Sequence, residues 1–138
     1  MRIIHHHFLV LGCIGAGLSV ALGAFAAHAL KDSLSEKMLS VFQTGVEYQA
    51  YHSLAMLVLV LLASLARTEK ARRYLSVSMS LMLFGVVLFS GSLYALALTG
   101  LASLGMITPV GGVLFLLAWF FAARGAWSMG KPELLEES

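Results

Sequence analysis

An all-helical membrane bundle is predicted, with four transmembrane helices and a short interfacial helix between spans one and two. Three observations carry this expectation. Of the 138 residues, 59% are hydrophobic and only 12% are charged, about half the roughly 25% of a soluble domain. That leaves too little polar surface to cover a globule in water. Four stretches free of Asp, Glu, Lys and Arg, at 8–27, 48–66, 74–98 and 101–123, match the ~20 residues a helix needs to cross ~30 Å of hydrocarbon. Backbone groups in lipid must be satisfied within the segment, which favours helices over open strands.

The elements follow in order within a single domain, 1–138, with spans at about 8–28, 46–66, 74–98 and 109–127 and a tail at 128–138. The first stretch is expected to be a retained span. Ala27-His28-Ala29 resembles a signal-peptidase site, but the apolar run before it is longer than a signal peptide's. Between spans one and two, Ser33 and Glu36 form a capping-box pattern, and Leu34, Met38, Val41 and Phe42 recur at helical spacing, so a short surface-lying helix is expected, broken near Gly45. Thr44 and Glu47 form a second capping box that would open span two. Thr108-Pro109 reads as a cap and first turn for span four, leaving 99–107 as a turn.

Lys and Arg set the orientation. Seven of them (Arg2, Arg67, Lys70, Arg72, Arg73, Arg124 and Lys131) fall on the side shared by both termini and the 67–73 loop, and only Lys31 and Lys37 fall on the other. The excess of positive charge predicts cytoplasmic N- and C-termini. Helices in lipid associate through close approach of small residues. Gly15, Ser19, Gly23 and Ala27, each four apart, are therefore expected packing positions on span one, with Gly91 on span three.

Most of the polar groups inside the spans gather toward the other, outer side. They are His28 at the end of span one; Glu47, Tyr48, Gln49 and His52 in span two; Ser90, Ser92 and Tyr94 in span three; and Thr108 opening span four. His52 and Ser90 each lie eight residues inside their helix ends, ~12 Å at ~1.5 Å per residue, so they could meet at one depth. A hydrogen bond from His52 to a span-three serine would be ordinary packing glue, whereas an ionisable side chain inside a span is by default a functional-site hypothesis.

Several chemistries are argued against. The single cysteine, Cys13, allows no intrachain disulfide and no cysteine-based zinc site. His5, His6 and His7 lie on the opposite side from His28 and His52, and HExxH, GxSxG and Walker patterns are missing. Glu47 and His52 are five residues apart, about 140° round a helix, a poor spacing for a catalytic pair. No basic stripe points to nucleic acid.

The segments GAFAAHAL (23–30), TGVEYQAYHSLA (44–55), LFSGSLYALAL (88–98) and TPVGGVLFL (108–116) closely resemble domain-of-unknown-function family 423, an uncharacterised bacterial inner-membrane family. The resemblance, covering about 8–127, implies a four-span inner-membrane protein with both termini inside. It brings no activity, cofactor or catalytic residue. Members usually read GAFGAH, with Ala26 here replacing the second glycine, and Ala118-Trp119 stands where relatives tend to have Gly-Trp.

The expected function is therefore non-enzymatic: an interaction or assembly protein, or a bundle holding a lipid or other amphipathic ligand. The alternative is a proton- or ion-coupled small transporter using His52 and Glu47. No cofactor and no metal are expected. The expected partners are the lipid bilayer, a bound lipid or membrane protein, and further copies of the chain.

Overall fold

The computed structural model describes residues 3–130, so Arg2, Lys131 and the rest of the tail lie outside the described residues. Helix α1 spans Ile3–Phe25 and runs on through a π turn at Ala26–Leu30. Helix α2 is Glu36–Leu65. Helix α3, Glu69–Gly85, continues through a second π turn, Val86–Ser90, into α4, Gly91–Thr99. A short 3₁₀ turn at Ala102–Met106 leads to α5, Thr108–Met129. The four-span, all-helical expectation holds. His5–Leu30, Glu36–Leu65, Glu69–Thr99 and Ala102–Met129 are each long and apolar enough to cross a membrane.

The connector between spans one and two is a correction. Rather than lying at the surface as its own helix, it forms the opening turns of the 30-residue α2. At ~1.5 Å per residue that helix is ~45 Å long and outreaches the hydrocarbon. The cap is Ser35, whose hydroxyl accepts from the Met38 N–H at 3.3 Å, while Ser33 donates back to the Ala29 carbonyl. Thr44 lies inside the helix and donates to the Ser40 carbonyl at 3.0 Å, so its N-terminal box with Glu47 does not form. Gly45 does not break the helix. A Cβ there would come within 2.7 Å of the Tyr94 ring, so glycine lets span three approach.

The remaining ends follow local chemistry. Thr68 caps α3 by accepting from the Ala71 N–H at 3.2 Å. Gly100 ends α4 with φ 72°, a left-handed conformation that glycine adopts without Cβ strain. Pro109 sits in the first turn of α5, where no backbone donor is needed.

Helix α2 is the hub: α1 packs on it, α3 and α4 pack beside it, and α5 packs on α3. Met56, Leu59, Val60, Leu75, Met79 and Met82 join Ala118 and Ala122 in one core at the end holding the α2–α3 loop. Ala26, Leu30, Phe42 and Ala97 form a smaller core at the opposite end. Ala26 is completely buried there. On α2, the buried Gln49, His52 and Ser53 lie between the two cores.

Small residues make the seams, though not all those expected. A Cβ on Gly15 would collide with the Ser53 hydroxyl, and one on Gly12 would meet Leu57 Cδ2 at 2.6 Å. Ser19 is buried and donates to the Ala16 carbonyl. Gly23 is in ordinary contact with Val46 at 3.5 Å, Gly91 has open space around it, and Ala27 is exposed. The tight glycines of the second hairpin are instead Gly85 and Gly111, against Phe115 and Phe89, and Gly125, against Leu75.

Candidate functional site

The polar layer is built on α2, where Gln49, His52 and Ser53 are buried and Glu47, Tyr48 and Tyr51 are exposed. The helical turn decides this: positions 49, 52, 53 and 56 share one face at 3.6 residues per turn, and position 47 lies well round from 49.

Gln49 joins three helices. Its side-chain N–H donates to the Gly15 carbonyl of α1 at 2.9 Å, and its Oε1 accepts from the Tyr94 hydroxyl of α4 at 2.9 Å. The close approach at Gly15 lets the amide reach α1, and the Tyr94 ring lies against Gly45 and Phe42, the latter at a centroid distance of 4.8 Å.

His52 makes a second tie, with both ring nitrogens occupied. Nδ1 lies 2.7 Å from the Tyr48 carbonyl, and Nε2 lies 3.2 Å from the Trp119 indole nitrogen on α5. The carbonyl only accepts and the indole N–H only donates, so this geometry selects the Nδ1–H tautomer. The ring stacks on Phe115 at a centroid distance of 3.5 Å and an interplanar angle of 11°. Tyr48 covers the neighbouring space, stacked on Phe89 at 4.5 Å. The expected bond from His52 to a span-three serine is replaced by the one to Trp119.

A third tie joins α4 to α5: the Ser92 and Thr108 hydroxyls are 2.7 Å apart. Ser90 is buried, but its hydroxyl finds no hydrogen-bond partner among the described residues. The structure thus brings together Gln49, Tyr94, His52, Ser92 and Thr108 with a stacked Tyr48. It leaves His28 and Glu47 exposed. Among the described residues, no group of three or more His, Cys, Asp and Glu side chains is placed to hold a metal ion.

Trp119, Phe115 and Ser53 were not singled out as cluster members. The sequence signal for Trp119 was its place in an otherwise apolar span with an N–H that needs an acceptor when it packs inward. Trp119→Phe keeps an aromatic ring, a smaller one, and removes that donor. It is expected to lower stability by about 1 kcal/mol, read from unfolding in detergent; wild-type stability would mean that this bond contributes nothing.

A membrane-embedded four-helix bundle with an internally hydrogen-bonded polar layer is the class this geometry defines. The sequence matches the family described as "Protein of unknown function (DUF423)" over residues 22–112, and the chain belongs to that family. It is 46% identical over 121 residues to the UPF0382 membrane protein YwdK of Bacillus subtilis, covering 86% of this chain and 94% of that one. A UPF0382 membrane protein of Haemophilus influenzae is 46% identical over 120 residues, 87% of this chain and 93% of its own. The UPF0382 inner membrane protein YgdD of Escherichia coli is 42% identical over 129 residues, with 94% and 95% covered. No solved structure matches.

Proposed function

We propose that this chain is a non-enzymatic interaction module of the bacterial inner membrane, with both termini cytoplasmic, that works by presenting a helix face to a partner span. The observation that carries this reading is the internal use of the polar layer. Gln49, Tyr94, His52, Trp119, Ser92 and Thr108 bond to one another or to the backbone, and stacked rings fill the space beside His52. Such a layer ties helices together and, the Ser90 hydroxyl apart, spends its hydrogen-bonding groups within the bundle. A proton path through His52 and Glu47 gains no support, because Glu47 is exposed and His52 uses both nitrogens within the bundle.

The face offered outward is that of α1. One side of this helix packs on α2 through Gly12 and Gly15, while Cys13, Gly17 and Ala21 are exposed four residues apart. Small residues at this spacing allow helix backbones to approach in lipid. The occupant proposed is a second copy of the chain. The charge excess around the 67–73 loop supports the orientation.

A side chain added at Gly17 meets nothing within 4 Å, so Gly17→Leu should leave the monomer folded and block the face. Disulfide trapping through Cys13 in native membranes should give a dimer band for the wild type and at least a tenfold weaker one for Gly17→Leu. An untrappable wild type that also sediments as a monomer in mild detergent would end this reading.

A further inference from the structure

We propose a binding site for an anionic phospholipid at the end of the bundle that holds the α2–α3 loop, with the lipid phosphodiester held by Lys70 and Arg73 and an acyl chain running along Val77 and Phe121. A cavity of about 930 Å³ opens there along the first two turns of α3, lined by these four residues together with Glu69, Arg72, Tyr74 and Ser76. Arg124 of α5 reaches over the Tyr74 ring, its guanidinium carbon 5.6 Å from the centroid. Among the described residues, three cations and one carboxylate thus line the cavity, with a fourth cation, Arg124, beside Tyr74.

That carboxylate is engaged. Glu69 bonds Arg72 at 2.9 Å, and Arg72 also donates to the Ala66 carbonyl at 2.9 Å, closing the loop. The Arg72 Nε is buried without an acceptor among the described residues. Lys70 and Arg73 are exposed and form no ion pair among the described residues. The site therefore carries excess positive charge and unused donors, the chemistry that recognises a phosphate.

The change in character along the lining favours a lipid over free phosphate. From Lys70 to Val77 the helix rises ~10 Å, which carries the lining from charged heads, past the amphipathic Tyr74, to the apolar Val77 and Phe121. Tyr74 and Phe121 pack together at a centroid distance of 6.1 Å, making an aromatic wall at the depth where headgroup meets acyl chain. A free phosphate would leave the apolar half of this cavity unused.

The test is native mass spectrometry of the full chain in a neutral detergent, titrated with phosphatidylglycerol, with phosphatidylcholine of the same chains, and with inorganic phosphate. Phosphatidylglycerol should be retained at least tenfold better than phosphatidylcholine, and millimolar inorganic phosphate should fail to displace it. Lys70→Gln and Arg73→Gln should each weaken retention about fivefold, the value of one charge near an anionic surface. Lys70→Arg and Arg73→Lys should restore it, and Phe121→Ala should weaken it too. Lys31→Gln with Lys37→Gln, at the other end of the bundle, should have no effect. Equal retention of the two lipids, an equal loss in the Lys31/Lys37 control, or no loss in the Lys70 and Arg73 variants would overturn the proposal. Displacement by inorganic phosphate would instead define a free-phosphate site.

Discussion

Gly111→Ala should lower the stability of the bundle by about 3 kcal/mol, the upper part of the usual range for overpacking, although alanine is the better helix former by about 1 kcal/mol. The new methyl would land on backbone rather than on a flexible side chain. It would overlap the Phe89 nitrogen and lie 2.7 Å from its Cβ and 2.8 Å from its Cα. Phe89 cannot easily retreat, because it belongs to the π turn Val86–Ser90 and its ring stacks on Tyr48 at 4.5 Å. The strain would therefore spread to α2 and to the Ser92–Thr108 tie. Gly112→Ala is the control. Its Cβ would sit 3.8 Å from the Phe89 ring, so it should be neutral or slightly stabilising. Equilibrium unfolding in mixed micelles measures both, and equal stability of the two variants would show that the Val86–Ser90 turn and α5 are farther apart than described.

The legibility of the sequence differs between levels. Span number and rough limits depend on composition and length, which one sequence carries in full. Helix continuity at Gly45 does not, because a glycine that ends a helix and one that admits Tyr94 look alike until the neighbouring helix is placed. Capping was misread for a similar reason: Ser33 and Thr44 each have a glutamate three residues on, whereas Ser35 has Met38, and only the path of the backbone chooses Ser35. That the residues of the polar layer fall inside membrane-length helices could be read by counting residues. Facing could not, and so Glu47 and His28 were grouped with Gln49 and His52 although they point elsewhere. Pairings between helices depend on crossing angles, which explains why Trp119 rather than a serine meets His52.

Gln49→Met, similar in volume but without the amide, is expected to lower stability by about 2 kcal/mol, from two interhelical bonds at about 1 kcal/mol each. The two bonds should not count equally. The Gly15 carbonyl keeps a second lone pair for its own helix, whereas the Tyr94 hydroxyl loses its acceptor at a half-buried position. Tyr94→Phe alone should therefore cost less than Gln49→Met, about 1 kcal/mol. In the double variant the phenol is no longer stranded, so its loss should fall short of the sum of the singles by at least 0.5 kcal/mol, the size expected of directly bonded pairs. Additive losses would mean that Gln49 and Tyr94 act separately. A Gln49→Met protein as stable as the wild type would go further, since it would free the amide of any structural duty. A buried side chain reaching both α1 and α4 that contributes nothing to holding them would have to be kept for chemistry, and the transporter reading would then regain the ground that the occupied polar layer takes from it.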